Sequence, residues 1–192
     1  MPQKTSDKMQ VTKNHLQEAF LDLCEQKPIA QIHIKELTDL AGYNRGTFYL
    51  YYQDIYDLRE QIEEEYIVLF ESKALPLIKC VIEGKSLESV AERMQFLVQN
   101  RRLLGVLLSS NGDATFTQRL INLTKDFIAK TLSLPADNDK CHYTLEYISY
   151  AHIGFMREWL VGNIKLSPEE LLAFFLEILH KGPMTVLIEN NK

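Results

Sequence analysis

The residues best suited to chemistry crowd into one run, "YNRGTFYLYY", residues 43–52. It holds a guanidinium, a threonine hydroxyl and several phenols, all hydrogen-bond donors and none a strong base or nucleophile at neutral pH. Such a set suits the binding of an oxygen-rich anion, such as a nucleic-acid backbone, better than the making of bonds. On a helix, at ~100° per residue, Phe48 and Tyr52 point the same way and form a packing face. Gly46, Thr47 and Leu50 point roughly opposite. Arg45 and Tyr49 border the packing face on one side and Tyr51 on the other.

That distribution fits a helix lying in a DNA major groove. Small outward residues allow close approach to base edges, and Leu50 or the Thr47 methyl can meet a thymine methyl. The flanking guanidinium and phenols suit phosphates on the groove walls. The same pattern also fits plain packing, with tyrosine hydroxyls reaching the surface of an amphipathic helix.

Other chemistries find little support. His15, His33, His142, His152 and His180 show neither HxxxH nor HExxH spacing, so no metal is expected. Cys141 and His142 are neighbours that diverge by ~100° on a helix and form no nucleophile–base pair. Glu63-Glu64-Glu65 reads as a solvated helix face. No glycine-rich phosphate loop is present. Neither an enzyme nor a bound cofactor is expected.

The elements that must position the 43–52 run are helical. A first helix is expected from about Thr12, its cap, to Gln26, with Leu16, Ala19, Phe20 and Leu23 on one face. A short helix follows over about 34–41, stopped by Gly42, and Asn44 can cap a third over about 45–52. Asp54 opens a long helix that Pro76 should kink or divide. Further helices are expected from Ser86 to Asn100, over "RRLLGVLLSS", from Asp113 to about Leu132, and from Asp139 to Val161. "LSPEEL" is a capping box at Ser167 and Glu170, with Pro168 in the first turn and Leu166 and Leu171 as a staple, and Gly182-Pro183 stops this last helix. The fold class read from these periods is all-α.

With 46% hydrophobic and 24% charged residues in 192, the composition is globular. Charges balance through residue 52, so the net charge of −5 resides in residues 53–192. No run approaches the ~20 apolar residues of a membrane span, and "MPQKTSDKMQVTK" lacks the apolar core of a signal peptide. Cys24, Cys80 and Cys141 lie far apart without CxxC and read as free thiols, so a cytoplasmic setting is expected.

The segment "IKELTDLAGYNRGTFYLYYQDIYDL" resembles the DNA-binding signature of the TetR family of bacterial transcription regulators. The resemblance covers about residues 12–58. It implies a three-helix helix-turn-helix unit at residues 1–52 and a larger helical ligand-binding and dimerisation domain, of about nine helices, at 53–192. It also implies DNA contacts from Asn44, Arg45, Gly46, Thr47, Tyr49, Leu50 and Tyr51, with a homodimer reading a palindromic operator under a small-molecule effector. Two positions depart from the family pattern. His33 stands where a Thr or Ser usually caps the second helix. Ile55 stands where a lysine usually reaches a phosphate, leaving that contact to Lys13, Lys35 or the tail lysines.

Beyond residue 53, "FLVQNRRLLGVLLSSNGDATF" and "GFMREWLVG" resemble the C-terminal domain of a TetR subgroup that includes regulators of dihydroxyacetone metabolism. An apolar effector pocket would draw on Phe96, Phe127, Tyr143, Tyr147, His152, Phe155 and Trp159, each of which could equally be core. The last two long helices would pair across a two-fold axis through Ala151, Gly154, Leu172, Phe175, Leu176 and Leu179. A second reading keeps this fold but makes the chain a co-activator or protein-interaction module with little DNA binding of its own.

Overall fold

A computed structural model describes residues 3–85, 94–109, 111–163 and 165–189. Every regular element among them is helical. They fall into two compact units, Met1–Leu69 with Leu103–Leu120, and Phe70–Arg102 with Ile121–Lys192. The grouping differs from a single cut after residue 52, because residues 53–69 and 103–120 gather with the helix-turn-helix.

In the first unit α1 (Gln3–Cys24) buries Leu16, Ala19, Phe20 and Leu23, as their spacing requires. It starts well before Thr12, whose hydroxyl returns to the Lys8 carbonyl at 2.9 Å and is no cap. A 3₁₀ turn (Ile29–Gln31) leads to α2 (Ile34–Ala41) and α3 (Arg45–Tyr49). α4 (Ile55–Leu69) opens on Asp54, whose Oδ1 accepts the N–H groups of Tyr56 and Asp57 at 2.8 and 2.9 Å. Leu37, Phe48, Leu58, Tyr66 and Phe116 complete the core.

Polar clamps fasten 103–120 within this unit. Arg59 of α4 meets the Asp113 carboxylate at 2.9 Å, and Asp113 Oδ1 also accepts the Thr115 N–H at 2.8 Å. Arg119 meets Glu64 at 2.7 Å, and the Asn111 amide donates to the Cys24 carbonyl at 3.2 Å. The turn between them is tight at Gly112, where a Cβ would fall 2.0 Å from the Leu107 carbonyl oxygen.

Pro76 divides the chain after α4, as expected. It lacks an N–H and its ring crowds the carbonyl four residues back, and a wide π turn (Phe70–Ala74) precedes α5 (Leu75–Ile82). The helix start expected at Ser86 lies outside the described residues. α6 (94–99), α7 (Arg101–Leu107), α8 (Ala114–Thr131) and α9 (Asp139–Leu160) follow. The capping box at Ser167 and Glu170 opens α10 (Pro168–Lys181) with bonds of 2.7 and 3.2 Å. Beyond Gly182 the chain forms a further short helix, α11 (Pro183–Glu189), rather than simply stopping. In the second unit Trp159 is an anchor: its indole donates to the Leu166 carbonyl at 2.9 Å, and the Arg101 guanidinium lies 4.7 Å over its ring. No single helix among the described residues is long and apolar enough to cross a membrane.

Two local features of the first unit yield stability predictions. Glu63 is only 4% exposed, and the Arg59 guanidinium beside it is shared with Asp113, so burial pushes its carboxyl from 4.5 up to about 7. A raised acid pKa gives stability that is full below 4.5 and lost as pH rises through 7. Glu63→Gln is therefore expected to match the parent near pH 4.5 and exceed it at pH 8 by up to ~3 kcal/mol in urea unfolding; equal midpoints at pH 8 would contradict this. His33, the residue before α2, makes no side-chain cap bond. Its replacement by serine should add about 1 kcal/mol of stability, read as a higher thermal midpoint.

Candidate nucleic-acid interface

The 43–52 run owes its geometry to the turn before it. Gly42 adopts a left-handed φ of 77°, which a side chain rarely tolerates, and ends α2. The Gly42 N–H donates to Asp39 at 3.4 Å and the Tyr43 N–H to Thr38 at 2.8 Å, two crossed bonds that satisfy carbonyls of the last turn. The chain re-enters a helix at Asn44, whose Oδ1 accepts the Thr47 N–H at 2.8 Å and lies 3.3 Å from the Thr47 hydroxyl. At α2 the cap is half made: the Glu36 carboxylate, held low by its 2.5 Å pair with Lys27, also takes the His33 N–H.

α3 is shorter than the expected 45–52. It ends at Tyr49, and the next residues close as tightened turns, with the Tyr51 and Tyr52 N–H groups both on the Phe48 carbonyl at 3.0 Å. The disposition of side chains nevertheless follows the helical wheel. Phe48 and Tyr52 are buried, with ring centroids 5.5 Å apart. Leu50 is 78% exposed and Tyr49 58%. Arg45 and Gly46 are exposed too, while Thr47 and Tyr51 are half-buried. A Cβ on Gly46 would press on Asn44 Oδ1 at 3.1 Å, so glycine leaves the cap undisturbed there.

An open groove of about 460 Å³ runs beside this face, and Lys35, Arg45, Tyr49, Asp54 and Tyr56 line it. Among the described residues neither Lys35 nor Arg45 has a carboxylate within 4.0 Å, so both charges are free to meet an anion. Ile55 is buried. The position that resembles the family's phosphate lysine has joined the core. Lys13 is turned away from this role: its ammonium reaches Gln61 at 3.3 Å and lies over the Tyr52 ring. Tyr56, half-exposed in the first turn of α4, is a groove residue the sequence reading passed over. Its signal was position alone, one residue beyond Ile55.

The candidates in the second unit separate. His152 and Phe155 come together with Phe175: the His152 ring lies 4.7 Å and the Phe155 ring 6.0 Å from it. Phe96 and Phe127 are half-buried. Tyr143 and Tyr147 do not line an interior, being 71% and 60% exposed in the single chain. The inward stripe of α9 is instead Ser149, His152, Met156 and Trp159, which leaves the tyrosines on the opposite side. Trp159 is fully occupied as an anchor. Of the residues expected at a helix pair, Ala151, Gly154 and Leu179 are exposed, and a Cβ on Gly154 would meet nothing within 4 Å. Leu176 is half-buried. Leu172 is buried within its own chain, and Phe175, half-buried, packs on His152.

Burial pushes the Cys24 thiol up to about 12 and leaves it inert. No group of three or more His, Cys, Asp or Glu side chains gathers around a metal-sized space among the described residues.

A comparison with curated proteins finds no match. A solved structure described as a TetR transcriptional regulator from Streptococcus agalactiae 2603V is similar over 93% of this chain and 98% of its own, with a TM-score of 0.61 and 21% identity. That likeness supports the all-helical architecture. Residues 85–181, just over half of the sequence, match the TetR-type model described as the transcriptional regulator C-terminal region. By that match the chain belongs to the TetR family of transcription regulators.

Proposed function

We propose that the chain is a cytoplasmic, homodimeric, DNA-binding regulator that reads a palindromic operator through residues 44–51 and answers to a small-molecule effector. The observation that carries this reading is the split of one short segment into a buried pair and an outward set. Phe48 and Tyr52 fix it to the core, while Gly46 and Leu50 are exposed and Thr47 half-exposed between flanking donors. Arg45, Tyr49 and Tyr51 would hold phosphates, joined by Lys35 and Tyr56 from the groove. Lys35 and Tyr56 take the place of the lysine that Ile55 replaces.

Dimerisation would use the exposed side of α9, where Tyr143, Tyr147 and Tyr150 line up with Ala151 and the open notch at Gly154. Tyrosines give large contact area at low entropic cost, and the notch admits a close helix. A two-fold dimer sets two reading helices about 34 Å apart, one turn of DNA. The effector would act by population shift, favouring a spacing that no longer fits successive major grooves. The subgroup with dihydroxyacetone-pathway regulators remains the proposed affiliation within the family. This reading gives the chain no catalytic role and no cofactor.

Two observations favour a second reading, a co-activator with little DNA binding of its own. Buried Ile55 removes a cation from the face in question, and the net negative charge lies in residues 53–192.

Selection from a random duplex library at low and physiological salt separates the two. A recovered palindrome is the expected result; no motif even at low salt would favour the co-activator. Arg45→Ala should weaken all sequences alike and reduce the salt slope by about one. Leu50→Ala and Thr47→Ala should instead change which bases are preferred. If neither class of variant alters binding, α3 is not the reading element. Saturating effector should lower operator affinity, and an unchanged affinity would count against effector control.

A further inference from the structure

The second unit contains two buried polar atoms, one turn apart on α9, that nothing among the described residues satisfies. Ser149 is 1% exposed, and among the described residues its hydroxyl has no hydrogen-bond partner; one turn on, the buried Nδ1 of His152 has none either. Helical hydroxyls elsewhere behave differently. Thr12, Thr38, Thr131 and Thr144 each return theirs to a carbonyl one turn back, at 2.7–2.9 Å. Ser149 does not, and its hydroxyl stays available on the inward stripe of α9. An unsatisfied buried polar atom is costly, and two of them on one helix face are rarely kept without a use.

The surroundings define what could satisfy them. Residues one turn apart on a helix present Cβ atoms roughly 5–6 Å apart, a span that two oxygens on neighbouring carbons can bridge. Phe175 lies 4.7 Å from the His152 ring and Phe155 closes on Phe175, so the guest must be small. Burial alone, with no charged neighbour contributing, pushes His152 down to about 4. Its imidazole is neutral and can donate from one nitrogen and accept on the other. Lys125 of α8, which reaches α9, is already paired with Glu146. Among the described residues no charged group acts on His152, so an anion would find no counter-charge there.

We propose that Ser149 and His152 form the polar end of a binding site for a small uncharged molecule carrying hydroxyl or carbonyl oxygens on adjacent carbons, with Phe155 and Phe175 as its apolar wall. The site rests on the reading of the C-terminal helices as a sensor, and it narrows the effector to a neutral, oxygenated compound of a few carbons.

The test uses the full-length protein with ¹³C-labelled histidine, the His152 signal being identified by its loss in His152→Gln. Propane-1,2-diol is the probe, and lactate, of the same skeleton but anionic, is the control. The diol is expected to shift the His152 signal saturably and lactate to leave it unmoved. Ser149→Ala should weaken the diol about tenfold while holding or raising the thermal midpoint, since it removes an unsatisfied hydroxyl. Three results would overturn the site: no saturable shift, an equal response to lactate, or a lowered midpoint in Ser149→Ala, which would mean a structural water fills the place. A saturable shift with unchanged operator affinity would uphold the site and reject only the effector control.

Discussion

The outward face of the helix-turn-helix depends on the burial of Phe48. α3 has five residues, far fewer than the ~12–15 that a helix needs to persist by itself in water. Three things hold it. Asn44 satisfies the first-turn N–H of Thr47, Gly42 turns the chain so that Asn44 can do so, and Phe48 with Tyr52 drives the segment onto the core of the first unit. Removing the aromatic pair would leave a cap with nothing to cap. Arg45, Tyr49 and Leu50 have defined directions only because the two aromatic side chains beside them have disappeared from solvent.

Much of this was legible because caps and stops are local. Asn44, Asp54, Asp113 and Ser167 each hold the N–H groups that their spacing implied, and Gly42 has the left-handed φ expected of a helix stop. What escaped prediction depends on tertiary context. The residues before Thr12 carry no apolar period, yet the helix extends back to Gln3. α11 follows a Gly-Pro pair that by local rules only ends a helix. α9 has two apolar sides, Tyr143 and Tyr147 on one and Met156 and Trp159 on the other, and periodicity does not say which faces the interior. Ser149 gave no signal because a serine within a helix fits a buried or an exposed face equally well.

The division into units tells a similar story. A boundary drawn after residue 52 leaves out contacts that complete the first core. Arg59 with Asp113, Glu64 with Arg119, and Tyr66 with Phe116 bring residues fifty or more positions apart into one body. Such pairs involve ordinary charged and aromatic residues, and nothing in their local sequence announces a partner. The family match at 85–181 and the helix-turn-helix pattern near the N-terminus are therefore complementary, each covering what the other omits.

The exposure of Leu50 and Tyr49 has an evolutionary consequence. Side chains that stand clear of the protein contribute little to its stability, and substitutions there usually fall within about half a kcal/mol of neutral. The residues that face outward from α3 can therefore drift without threatening the fold, while Phe48, Tyr52 and Gly42 cannot. A lineage carrying this unit could retarget its surface in single steps, each intermediate remaining folded. On the proposed reading, stability and selectivity would occupy opposite sides of one short helix, and selection could act on either side independently.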